Sequence, residues 1–307
     1  MKRLFLFAGY DKDGILDDTL IRYLNQLSEL GDIILVMDCN IQDTSKLNDI
    51  KNLLHFETVR HGEYDFGSYK RGYMWAHDNK ILGNYDWVYL VNDSVYGPLF
   101  NLEPCLNKLE SRNTDLTGMT DFCDRLFPKH VQSWFVGFSK KLATSNLIYD
   151  FMQNIEHRNS KLEIICKYEV GLSRTILQNG FEMSTLFSQN GRKEHTVYER
   201  PRQLLEKFIP FIKKTALKNL GGGAMLLLPY TSDDFITKIF ANANRTNLEY
   251  QTKDIFIQNR KIYRLTFLSI PICTIYRKDF TDHKCYRIYL FDKIRILKIV
   301  SAKPKDS

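Results

Sequence analysis

The sequence predicts an α/β fold: a mixed, mostly parallel sheet flanked by helices, followed by a basic appendage of helix and β-hairpins. Two observations carry this. Short apolar runs, Lys2–Ala8, Asp32–Met37 and Asp86–Val91, alternate with stretches of helical periodicity. Runs this short and this rich in β-branched and aromatic residues are strands covered on both faces, joined by right-handed crossovers. The net charge of +7 is also divided unevenly. Residues 1–199 are mildly acidic, whereas residues 200–307 hold more than twice as many Lys and Arg as Asp and Glu. With 307 residues, 44% of them hydrophobic, one large domain plus an appendage is expected.

The elements follow in order. Lys2–Ala8 is a first strand; its apolar core is too short for a signal peptide, and Asp11 follows closely. A helix starts near Asp17 or Asp18, with Leu16, Leu20, Leu24, Leu27 and Leu30 on one face and Gly31 past its end. Asp32–Met37 is the second strand, closing on Asp38. A helix across Thr44–Leu54 and a short strand Glu57–Val59 lead to His61-Gly62. Phe66–His77 is helical, with Phe66, Tyr69, Tyr73 and Ala76 on one face. Asp86–Val91 is a strand that stops at Asn92-Asp93-Ser94, and Gly97-Pro98 turns the chain. Strands Asp115–Thr120 and Val131–Ser139 flank a loop, Asp121–His130. Helices Lys140–Ile155 and Tyr168–Asn179 follow, the second ended by Gly180.

Composition changes at Arg200-Pro201. Gln203–Asn219 reads as a basic amphipathic helix kinked at Pro210, Gly221–Gly223 as a hinge, and Thr231–Asp234 as the cap of a helix to about Ala243. A weak repeat, Tyr263–Leu268 and Tyr286–Phe291, precedes Ile270–Tyr276 and Ile294–Val300, which suggests paired hairpins. The expected division is 1–199, 200–250 and 251–307.

Several function classes drop out. The longest apolar runs, Ala224–Leu228 and Phe267–Cys273, are too short to span a bilayer. Cys39, Cys105, Cys123, Cys166, Cys273 and Cys285 form no CxxC pair and read as reduced thiols of a cytoplasmic protein. The seven histidines have no metal-ligand spacing, and no P-loop, GxGxxG, GxSxG or HExxH motif is present. Basic residues interleaved with large apolar ones favour an anionic lipid surface over nucleic acid, for which no recognised module is present.

Parallel sheets bind ligands at the carboxyl ends of their strands. There, Asn92-Asp93-Ser94 sets a carboxylate beside an amide and a hydroxyl, suited to a metal-bound diphosphate or, equally, to capping a turn. Asp65 precedes the expected helix start, with Gly67 and Ser68 in the first turn, where N–H groups favour an anion. Asp65 suits ribose or sugar hydroxyls, and Lys70 and Arg71 suit phosphate. The plainer alternative is an N-cap with a solvated basic pair. His130 and Gln132 share a strand face with one another, followed by Ser133; His130 also fits a capping or core role. Glu169, in a first helical turn, is either a dipole partner or a general base.

Four segments in series, Tyr64-Asp-Phe-Gly-Ser-Tyr-Lys70, Leu90-Val-Asn-Asp-Ser-Val-Tyr-Gly-Pro98, His130-Val-Gln-Ser-Trp-Phe135 and Tyr168-Glu-Val-Gly-Leu-Ser173, resemble the rhamnan synthesis protein F family of bacterial polysaccharide glycosyltransferases. The resemblance covers about residues 1–185. It implies a GT-A-like, Rossmann-type fold and a nucleotide-sugar-dependent enzyme that builds rhamnan, O-antigen or capsule. The expected reaction moves a hexose, of rhamnose or galactose type, from a nucleoside diphosphate sugar to a lipid-linked acceptor, with inversion. On this reading Ala8, Gly9, Tyr10 and Asp38 line the nucleoside pocket. Asp65, Gly67, Ser68, Lys70, Arg71, Asn92, Asp93 and Ser94 complete the donor site. Gln132, Ser133 and Trp134 face the acceptor. Glu169 is the first choice for catalytic base, then Asp121, then His130.

Such enzymes commonly carry Asp-x-Asp at the strand end; here Asn92-Asp93-Ser94 offers one carboxylate. Asp93 then holds a Mg²⁺ or Mn²⁺ ion largely clothed by phosphate and water, or the reaction runs without one. The implied setting is the inner face of the cell membrane, held peripherally through the basic region, alongside other polysaccharide assembly enzymes. A nucleotidyltransferase and a non-catalytic glycan- or nucleotide-binding protein on the same fold remain as alternatives.

Overall fold

The computed structural model describes residues 1–124, 127–158, 160–188, 196–219 and 227–247, and the strands 256–267, 270–280, 283–290 and 294–302. Two compact units are present: Met1–Lys218 with Gly222–Asn242, and Asn219–Gly221 with Ala243–Ser307.

The first unit is a Rossmann-like mixed α/β structure. Its strands are β1 (Arg3–Gly9), β2 (Asp32–Met37), β3 (Leu53–Thr58), β4 (Trp87–Asn92), β5 (Val95–Tyr96), β6 (Leu116–Phe122), β7 (His130–Val131), β8 (Phe135–Ser139), β9 (Met183–Phe187) and β10 (Ile212–Lys213). The main sheet runs β3-β2-β1-β4-β8-β6, with β7 and β9 also paired to β6. β1, β2, β3 and β4 are parallel; β8 is antiparallel to both β4 and β6, and β9 is parallel to β6. A two-stranded sheet of β5 and β10 lies off the main sheet.

Alternation along the strands divides the core. Phe5 and Phe7 of β1 and Tyr89 and Val91 of β4 pack with helices α1 (Asp18–Ser28) and α3 (Glu103–Glu110). Leu4, Leu6, Ala8, Val88 and Leu90 pack on the other face with α2 (Tyr64–Asp78), α4 (Lys140–Ala143), α5 (Asn146–Gln153), α6 (Lys161–Ile164) and α7 (Gly171–Gln178). The Asp17 carboxylate caps α1 by accepting from the amides of Thr19 and Leu20, and Leu20, Tyr23, Leu24 and Leu27 form its buried face. The Gly31 amide then closes the helix on the Leu27 carbonyl at 3.1 Å.

Five expectations are corrected. The helix expected across Thr44–Leu54 is only a 3₁₀ turn, Ser45–Leu47, because from Leu53 the chain joins the sheet edge as β3. Asn52, at φ +56°, makes that turn, and its amide side chain donates to the Ser28 carbonyl at 2.7 Å. The helix expected over Lys140–Ile155 breaks at Thr144-Ser145, where Ser145 caps a new helix through the Ile148 amide. The expected strand Val131–Ser139 is interrupted between Val131 and Phe135. Glu169 stands not in a first helical turn but in a π-helical stretch, Ile165–Val170, that joins α6 to α7.

The basic amphipathic helix expected over Gln203–Asn219 is also absent as such. After a short α8 (Thr196–Glu199), it is replaced by the end of α9 (Pro201–Glu206), β10 and α10 (Lys214–Asn219). Pro210 stops the helix, and Phe211 and Ile212 then enter the core at 1% exposure, beside Tyr23, Trp134 and Phe135. Helix α11 (Asp233–Asn247) follows, and the expected Gly221–Gly223 hinge lies outside the described residues.

The second unit holds a four-stranded antiparallel meander, Phe256–Phe267, Ile270–Phe280, His283–Leu290 and Ile294–Ala302, paired in chain order. The paired hairpins are thus one sheet. Among the described residues no helix is long and apolar enough to cross a membrane.

Candidate active site

Polar residues collect where the parallel strands end. β1 and β4 are neighbours, with Ala8 opposite Asn92, so Gly9-Tyr10 and Asp93-Ser94 leave the sheet side by side. The Asp93 amide donates to the Ala8 carbonyl at 3.2 Å, and the Asp93 carboxylate accepts from the Tyr10 amide at 3.4 Å. Lys214 Nζ lies 3.5 Å from the same Oδ2. Burial pushes the Asp93 carboxyl up, against the pull of Lys214.

Asn92 is the hub of this edge. Its Nδ2 donates to Asp65 Oδ2 at 2.8 Å, while its Oδ1 accepts from both the amide and the hydroxyl of Ser94. Lys213 Nζ donates to Ser94 Oγ at 2.6 Å, completing a chain from Asp65 through Asn92 and Ser94 to a buried ammonium. Burial pushes Asp65 up to about 6, reinforced by the Asp93 charge, and pulls Lys213 down to about 8. The charges of Glu169, Asp65 and Asp93 all act to hold the Lys213 proton, so the three carboxylates lie within electrostatic reach of one ammonium.

Glu169 is the third of these carboxylates. Its Oε2 accepts from the Ser133 amide at 3.1 Å and from the Ser133 hydroxyl, and Oε1 meets His130 Nε2 at 3.3 Å. The break between β7 and β8 turns the Ser133 amide out of the sheet ladder toward this carboxylate. Burial alone would raise Glu169, but His130 and Ser133 overcome it and hold the carboxyl below its usual range. Reciprocally, burial pulls His130 down, yet Glu169 and the Pro128 carbonyl carry it above the usual imidazole value. Tyr198, on α8, feels both Glu169 and Asp65.

The remaining expected residues are distributed differently. Ala8 is buried in the sheet; Gly9 packs so closely on Met37 that a Cβ would lie 2.3 Å from its sulfur. Tyr10 is half exposed, with the Arg60 guanidinium 5.1 Å from its ring centre. Asp38 shapes the following loop: its Oδ1 accepts from the His61 and Gly62 amides at 2.7 Å each, and Oδ2 pairs with Arg60 at 2.8 Å. Gly67 offers no free first-turn amide, because α2 begins at Tyr64 and that amide already donates to the Glu63 carbonyl. Ser68 Oγ bonds His61 Nε2 at 2.9 Å.

Lys70 and Arg71 are bound to other partners: Lys70 Nζ donates to the Ile155 carbonyl at 2.7 Å, and Arg71 pairs with Glu63 at 2.8 Å. Gln132 and Trp134 both bond the Thr120 hydroxyl, at 2.7 and 2.9 Å, inside the core. Asp121 is a buried strand residue that accepts from Thr185 at 3.0 Å and meets Lys129 at 3.2 Å.

The residues at Asp93 do not fit a divalent ion. Among the described residues no three His, Cys, Asp or Glu side chains cluster as a ligand set. The Asp93 carboxylate already faces Lys214, and the neighbouring Ser94 hydroxyl holds Lys213. A metal there would meet two positive charges. Those lysines are the site residues that sequence reasoning missed. Their only signal is the apolar pair Phe211-Ile212 between the helix-stopping Pro210 and Lys213-Lys214.

A protein of Sinorhizobium fredii (strain NBRC 101917 / NGR234), described as uncharacterized protein y4gN, is 25% identical over 183 residues, 58% of this chain and 47% of that protein. The chain thus spans about half the length of this relative. The family model described as rhamnan synthesis protein F matches residues 33–283, which includes all four motif segments. The chain belongs to the rhamnan synthesis protein F family.

Proposed function

We propose that the protein is a glycosyltransferase of GT-A type that moves a hexose, of rhamnose or galactose type, from a nucleoside diphosphate sugar to a lipid-linked acceptor during rhamnan, O-antigen or capsule synthesis. One observation carries the reading. Asp65, Asp93 and Glu169 converge at the carboxyl edge of a parallel sheet, with Glu169 held as a carboxylate by Ser133 and His130.

The chemistry follows from the placement. The nucleoside diphosphate lies over the ends of β1 and β4, beside Tyr10. Asp65 accepts from a sugar or ribose hydroxyl. Glu169 faces the acceptor and takes its hydroxyl proton while the acceptor oxygen bonds to the anomeric carbon. The bond from that carbon to the diphosphate breaks on the opposite side, and its electron pair leaves with the phosphate, so configuration inverts. His130 Nε2, 3.3 Å from Glu169 Oε1, holds the carboxylate in place before the proton arrives.

The protein works at the inner membrane face, where the basic region after residue 200 meets anionic lipid and other enzymes of the assembly line. A thermal-shift screen of UDP, GDP, dTDP and CMP sugars tests the donor side directly. One nucleotide class should raise the melting temperature; no response to any of the four would remove the reading.

A further inference from the structure

We propose that Lys213 and Lys214 hold the departing diphosphate and do the work that a divalent ion does in related chemistry. The inference rests on the nucleotide-sugar reading above and adds the groups that receive the leaving charge.

The fold delivers this pair deliberately to the end of β4. β10 pairs antiparallel with β5, Lys213 opposite Val95, and the Lys214 amide donates to the Ser94 carbonyl at 3.0 Å. Just upstream, the Pro210 carbonyl accepts from the Leu99 amide at 2.8 Å. Gly97, at φ +142°, allows that close approach: a Cβ there would lie 2.5 Å from the Pro210 oxygen. Phe211 is anchored between Tyr23, Trp134 and Phe135. The chain changes from strand to helix between the two lysines, so both ammonium groups reach the same turn. Lys213 bonds Ser94, and Lys214 meets Asp93.

The charges are then suited to an incoming anion. Lys213 is buried, 5.6 Å from the Trp134 ring centre, and its hydrogen bond goes to a neutral hydroxyl. A diphosphate oxygen supplies a charge-assisted partner in a water-poor setting. When the bond to the anomeric carbon breaks, its electron pair remains on the terminal phosphate oxygen. Two fixed ammonium groups stabilise that charge without reorganisation. Lys70 and Arg71, the basic pair nearest the motif, are turned to Ile155 and Glu63 instead.

The test titrates UDP, GDP, dTDP and CDP into the full chain by calorimetry, in EDTA and again with Mn²⁺ or Mg²⁺. The wild type should bind one diphosphate in EDTA, and metal should change its affinity by less than about threefold. Lys213→Met and Lys214→Gln should each weaken binding by about tenfold or more, with circular dichroism unchanged, and Lys214→Arg should restore most of it. Binding that requires Mn²⁺ or Mg²⁺, or a folded Lys214→Gln protein that binds like the wild type, would overturn the inference. If no diphosphate binds under either condition, the nucleotide-sugar reading fails and takes the inference with it.

Discussion

Asp65 shows how a single side chain can serve a site at the cost of the fold. Its carboxyl is pushed from the ordinary 3.8 up to about 6 by burial and by the Asp93 charge. The folded protein therefore holds this proton more tightly than the unfolded chain does. The resulting stability is complete below about pH 3.8 and is lost as pH rises through about 6, above which a partly buried charge must be tolerated. Asp65→Asn keeps an acceptor for the Asn92 amide and removes that charge. The variant should be more stable than the wild type at pH 7.5, on the order of 2 kcal/mol, with the gain fading toward pH 4. Chemical denaturation at the two pH values measures this; equal stability at pH 7.5 would mean the carboxylate is not under strain.

At the same scale, Asp65, Asp93, His130 and Glu169 were legible because each stands at a strand end or in a motif. Lys213 and Lys214 were not. A basic stretch with apolar residues every three or four positions reads as a surface helix, and only the tertiary pairing of β10 with β5 withdraws it. Ser133 was visible as a polar strand residue, but its bonds to Glu169 depend on the break between β7 and β8, which period-two alternation hides.

Among the elements, long buried strands were the most legible and edges the least. β1, β2 and β4 are apolar on both faces and could only be central strands. β3 is half exposed, and its mixed sequence showed only its end as a strand, Glu57–Val59, with its first two residues assigned to a helix. The contact joining β1, β4 and α3 was hidden because it spans more than a hundred residues. The Arg3 guanidinium grips Glu110 through Nε at 2.6 Å and Nη2 at 2.9 Å, and the Tyr89 hydroxyl adds a bond to Glu110 at 2.9 Å. Both charged groups are nearly inaccessible, at 7% and 0% side-chain exposure. Removing one partner strands the other, so Glu110→Ala should cost about 3–5 kcal/mol in urea unfolding. A loss below about 1 kcal/mol would show that water reaches Arg3 and that the pair ties nothing together.

For the whole molecule, the charge division near residue 200 does not coincide with the boundary of the units: the basic stretch 200–218 belongs to the α/β body, and the rest of the basic region ends in an antiparallel meander. If that region meets anionic lipid, the full chain should co-sediment with phosphatidylglycerol vesicles and not with phosphatidylcholine vesicles. Binding should fall as salt rises from 0.05 to 0.5 M by about tenfold or more, because screening shortens the reach of exposed charge. Deleting residues 251–307 should abolish it. Equal sedimentation with both lipids would leave the basic residues a role in packing alone.

In the proposed sugar-transfer site, Glu169 accepts the proton of an acceptor hydroxyl. This role is tested most directly by single-turnover transfer from the donor found in the screen, comparing the wild type with Glu169→Gln. The substitution keeps the shape and the Ser133 bonds but removes the base. The rate of glycosidic bond formation should fall by about 10²–10⁴-fold while donor affinity stays within about threefold. Transfer by Glu169→Gln at the wild-type rate would show that Glu169 is not the base.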